Sequence, residues 1–76
     1  MNRPLNAIAY EIRQSWKNVN YAAKPYLDAM GGLSSIEEMY YADSAESVVM
    51  YFLANANSWR GEDARRIKAE LKGMLK

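Results

Sequence analysis

Val48-Val49-Met50-Tyr51-Phe52-Leu53-Ala54 is the longest uninterrupted apolar run in the chain, and whether it is helix or strand decides the fold. Its branched and aromatic residues favour a strand, yet no other segment alternates apolar and polar residues in a way that could pair with it. Read with its flanks, the run continues a helical stripe, because Ala45, Val48, Val49, Phe52, Leu53 and Ala56 share one face at helical spacing. Asp43, three residues ahead of Glu46, is placed to cap the first turn. Met50, Tyr51 and Ala54 make the helix apolar nearly all round, which predicts a central position covered on several sides. Its seven apolar residues fall far below the roughly 20 that a membrane-crossing helix needs, so no membrane span is expected.

Working outward, Leu5, Ile8, Ala9, Ile12 and Trp16 form the stripe of a first helix that opens at Pro4 and stops at Asn18-Val19-Asn20. A short second helix runs within 21–30, with Ala22, Tyr26, Leu27 and Met30 inward, Pro25 at or near its start, and Gly31-Gly32 closing it. Ser34 and Glu37 have the spacing of a capping box, which predicts a third short helix. After a turn at 57–61 that carries Trp59, Glu62 and Asp63 open a last helix. Ala64, Ile67, Leu71 and either Met74 or Leu75 face inward there, and Arg65, Lys68, Lys72 and Lys76 lie along one flank. The expected fold is therefore all-α: one domain over 1–76, a compact bundle of four to five short helices.

The chain holds neither cysteine nor histidine. A disulfide framework and a thiolate zinc site are excluded, and so are the commonest general base and nucleophile. Glu37/Glu38 and Glu62/Asp63 are paired acids, but in helix first turns the macrodipole accounts for them. No phosphate loop or calcium loop is present. The expectation is a protein that is not an enzyme, with no catalytic residue, cofactor, metal or small-molecule substrate. Nothing at Met1 resembles a signal peptide, and with no cysteine this points to a cytoplasmic location.

Charge is segregated beneath a net value of +1. Residues 25–59 contain Asp28, Glu37, Glu38, Asp43 and Glu46 and no base, whereas both ends are basic. Two kinds of partner follow. Tyr40, Tyr41, Tyr51, Trp59 and Arg60 are candidates for a protein-binding surface, since aromatics and arginine are favoured at interfaces. Arg65, Arg66, Lys68 and Lys72 are candidates for nucleic-acid binding, with the last two helices drawn as a helix-turn-helix-like pair. Against that stand the acidic first turn and a turn longer than the motif uses. The basic ends of one copy could also meet the acidic middle of another in a homodimer.

At Tyr26-Leu27-Asp28-Ala29-Met30, and from Asp43-Ser44-Ala45 through Phe52-Leu53-Ala54-Asn55 and Trp59-Arg60-Gly61 to Ile67-Lys68-Ala69-Glu70-Leu71-Lys72, the chain resembles small proteins encoded by tailed phages and prophages. That family has no assigned activity. The resemblance implies an accessory factor working inside a bacterial cell, with a host or phage protein as partner.

Overall fold

The computed structural model describes residues 3–75. Four helices are present among them: α1 (Leu5–Ser15), α2 (Lys24–Met30), α3 (Ala45–Ala54) and α4 (Glu62–Met74). Between α2 and α3 lies a two-stranded antiparallel hairpin, β1 (Met39–Tyr40) and β2 (Asp43–Ser44), registered Met39 to Ser44 and Tyr40 to Asp43. The fold is thus mainly helical rather than strictly all-α. α1 packs on both α2 and α4, and α3 packs chiefly on α2 and on the hairpin.

The deciding run is helical. Ala45, Val48, Val49 and Phe52 are buried on one face of α3, and Ala56 is buried just beyond its end. The expectation that neighbours cover α3 on several sides is corrected, because Met50, Tyr51 and Ala54 face solvent. The cap also differs from the reading of Asp43. Ser44 is the N-cap, its Oγ accepting the Ser47 amide at 3.1 Å, while Asp43 is drawn into β2.

The expected third helix does not form, and the reason lies in α1. Pro4 sits at the N-cap of α1 and offers no side-chain acceptor, so the first amides of that helix need partners from elsewhere. They find them in the loop after α2, where the Ser34 carbonyl accepts the Leu5 amide at 3.1 Å and the Leu33 carbonyl accepts the Asn6 amide at 2.9 Å. The chain that presents those carbonyls to α1 runs through 33–34 as a loop rather than a helix start, and the Ser34–Glu37 capping box is replaced by other bonds. The Ser34 amide donates to Glu38 at 2.9 Å and the Glu37 amide to Ser35 Oγ at 3.1 Å. Glu37 and Glu38 are accordingly not in a helix first turn.

Leu5, Ile8, Ala9, Ile12 and Trp16 are all buried, as their spacing predicts. α2 starts at Lys24 with Pro25 in its first turn, so Ala22 precedes the helix and is exposed while Ala23 is buried. In α4, Ala64, Ile67, Leu71 and Met74 face inward; Lys76 lies outside the described residues. Trp16 and Trp59 stack at 5.6 Å, nearly parallel, and the Phe52 ring meets both edge-on at 6.2 and 6.3 Å. This aromatic trio ties the end of α1, the last turn of α3 and the connection to α4 into one core.

At the open end of α1, Arg3 makes a two-pronged bond to Glu70 at 2.8 and 2.7 Å and reaches Glu11 at 2.8 Å. Glu11 also accepts from Arg66 at 2.5 Å. These charges bridge the segment before α1, α1 itself and α4. Among the described residues no charged side chain is buried, no buried side-chain polar atom lacks a partner, and no helix is long and apolar enough to cross a membrane.

Candidate functional site

Large apolar side chains left in water are the informative feature of a chain this small, because burying them would stabilise a thin core. Tyr51 projects from the exposed side of α3 and stacks on Tyr26 of α2 at 5.4 Å. Tyr40, at the end of β1, closes the same space, and its ring lies against the backbone near Gly32. Together with Pro25, Ala29, Asp43 and Val48 these rings line a cleft of about 520 Å³ between α2, the hairpin and α3.

Beside the cleft stands Tyr41. It is 89% exposed, its ring meets Tyr40 edge-on at 4.8 Å, and its backbone has φ of 56°. The hairpin register leaves Tyr41 and Ala42 as a two-residue turn, whose first position then takes the left-handed conformation that such turns normally give to glycine. A bulky residue there is a true outlier, costing about 1–2 kcal/mol. The fold gains no burial from that side chain in exchange.

Of the residues predicted for a protein-binding surface, the structure brings Tyr40, Tyr41 and Tyr51 together. Trp59 is not among them: it is 2% exposed, stacked on Trp16, with its indole N–H donating to Ser15 Oγ at 3.3 Å. Arg60 is exposed, but on the α4 side of the molecule beside Gly61, Ala64 and Arg65. Pro25, Tyr26 and Asp43 are parts of the cleft that sequence reasoning missed. Tyr26 was assigned to the inward stripe of α2, and it does lie at that stripe's margin, half-buried.

The four bases predicted for nucleic acid divide. Lys68 Nζ donates to the carbonyls of Ala56 and Trp59, both at 2.7 Å, and lies over the Trp59 ring at 5.7 Å. Burial first, then Lys72 and Arg60, hold its ammonium below the ordinary lysine value. Lys68 therefore fastens the turn before α4. Arg66 is engaged by Glu11, and more distantly by Asp63 at 3.4 Å; those hydrogen bonds raise its guanidinium further above the ordinary value. Arg65 and Lys72 face solvent and carry no side-chain hydrogen bond among the described residues. In addition, α4 packs on α1 rather than principally on α3, unlike the mutually packed pair of a helix-turn-helix.

Among the described residues no group of three or more acidic, histidine or cysteine side chains could hold a metal ion. Comparison with protein-family models, with curated proteins and with solved structures found no match.

Proposed function

We propose that this chain is a non-catalytic helical protein-interaction module that docks a partner protein on the tyrosine face formed by α2, the hairpin and α3. The observation that carries the reading is Tyr41, an almost fully exposed aromatic kept in a strained backbone conformation against Tyr40, whose own ring lines the cleft with Tyr26 and Tyr51. Strain of this kind clusters where a surface is used. Exposed tyrosines that already touch one another lose little freedom on binding, which favours them as anchors. The resemblance to small phage and prophage proteins supports a host or phage protein as the partner and the bacterial cytoplasm as the setting.

Site-specific photocrosslinking tests this. A benzophenone side chain at position 41 or 51, in bacteria that express the chain, should give discrete light-dependent adducts. The same group at Tyr10, an exposed position on α1, should not. Equal adducts at all three positions, or none at 41 and 51, would refute the docking face.

The alternative is a small DNA-binding protein using its basic C-terminal helix. It rests on Arg60, Arg65 and Lys72, which face solvent near one another around Lys68. Such binding would weaken steeply with salt. Fluorescence anisotropy on duplex DNA, with Arg65 and Lys72 replaced by glutamine, separates the two readings.

A further inference from the structure

The cleft has a chemistry that narrows what can occupy it. Three tyrosine rings and Pro25 form its walls, and Asp43 is the one ionisable carboxylate in its lining. Every residue of its lining falls within 25–59, a stretch without a single lysine or arginine. Two of its carboxylates are spoken for, since Asp28 pairs with Arg13 at 2.6 Å and Glu38 accepts the Ser34 amide. Asp43, Glu37 and Glu46 are exposed, and their carboxylates make no hydrogen bond among the described residues. Lys24, the nearest base in sequence, lines a neighbouring depression with Tyr21 and Asp28 instead.

Aromatic faces attract cations through their quadrupole, and the unpaired Asp43 carboxylate in the lining does the same over a longer range. Arginine fits this combination best. Its guanidinium is planar, weakly hydrated and stacks on tyrosine while still presenting donors to a carboxylate. At about 520 Å³ the cleft has room for an arginine together with a neighbouring residue of the segment that carries it.

We infer that the Tyr26–Tyr40–Tyr51 cleft receives an arginine side chain from an extended basic segment of a partner protein, with Asp43 as its counter-charge. The inference rests on the docking face proposed above and adds the chemistry of what docks.

The probe is an eight-residue peptide alternating arginine and serine, titrated into the isotope-labelled full chain and followed by amide chemical shifts. Saturable shifts are expected at Tyr26, Tyr40, Asp43 and Tyr51. Tyr51→Ala should weaken binding by about 2- to 30-fold, the range spanned by cation–ring contacts, and Asp43→Asn should also weaken it. A peptide with glutamine for every arginine should give no shifts. Circular dichroism confirms that both variants fold, because neither side chain belongs to the core.

Equal binding of the glutamine peptide, shifts confined to Glu37 and Glu38, or shifts on α4 would each overturn the inference. Light scattering that shows the cleft closed in a dimer of this chain, unaffected by the peptide, would do so as well. The two proposals fail separately. Photocrosslinks at position 51 that persist in Asp43→Asn while the arginine peptide is silent would remove the arginine and keep the docking face. Silence in both experiments removes both.

Discussion

Replacing Lys68 by methionine separates a base that builds the fold from one that waits for a phosphate. The stem of the side chain is kept and only the ammonium is lost, so packing along α4 changes little. Two carbonyls lose a donor. That of Ala56 still accepts the Trp59 amide at 3.1 Å, whereas that of Trp59 has no other donor among the described residues. A hydrogen bond from a charged donor contributes about 1.5–3 kcal/mol, and the contact over the Trp59 ring adds about 0.5–1 kcal/mol. Burial of the ammonium works the other way, because desolvation already depresses its pKa. The net loss expected is about 2 kcal/mol, which for a domain of this size lowers Tm by roughly 8–16 °C. Lys72→Met, at an exposed position with no side-chain hydrogen bond, should stay within about 0.5 kcal/mol of the parent. Thermal and urea unfolding followed by circular dichroism would measure both. Equal Tm for Lys68→Met and the parent would show that the ammonium is not fastening the turn, and the case for Lys68 as a ligand-binding base would reopen.

Three further outcomes are expected. Tyr41→Gly should leave Tm unchanged or raise it by a few degrees, since relief of about 1–2 kcal/mol of left-handed strain outweighs the about 0.5–1 kcal/mol that glycine's freedom costs; Tyr41→Val should lower it, and the reverse order would mean that the turn is not strained. Gly61→Ala should cost about 1–3 kcal/mol in a urea titration, because φ is 112° there although a Cβ would meet nothing within 4 Å; no loss would argue against that backbone conformation. Glu11 and Glu70 are held below the ordinary glutamate value of 4.5, Glu11 chiefly by Arg66 and then Arg3, Glu70 chiefly by Arg3. Depressed carboxylates stabilise the fold above their unfolded value, and that stability is lost as pH falls from about 4.5 through their folded values. The urea midpoint should therefore drop over that window, and drop less in Arg3→Met; an identical acid response in Arg3→Met would remove Arg3 from the cause.

The amphipathic stripes were legible because they are local: the spacings in Leu5–Trp16 and Ala64–Met74 report one buried face each, and the tertiary structure agrees with them. The hairpin was not legible. Its turn is Tyr41-Ala42, without the glycine or asparagine that usually announces one, and the Ser34–Glu37 spacing reads as a helix start until the needs of α1 are known. The same division holds at the surface. Tyr40, Tyr41 and Tyr51 could be singled out by type, but Tyr26 meets Tyr51 only because α2 packs on α3. Trp59 and Lys68 were misread together. An aromatic in a turn and a lysine on a basic flank look like surface, and the pairing of the ammonium with the Ala56 and Trp59 carbonyls shows them to be one internal fastening.

The carbonyls that Leu33 and Ser34 lend to the start of α1 join chain segments nearly thirty residues apart. A peptide of α1 alone therefore lacks what begins it, and cleavage between the end of α2 and Leu33 would part the first helix from the carbonyls that open it. The loop that looks like a spacer is a condition for the N-terminal third to hold its shape. The amides of Leu5 and Asn6 should then exchange with solvent only as often as the whole molecule opens.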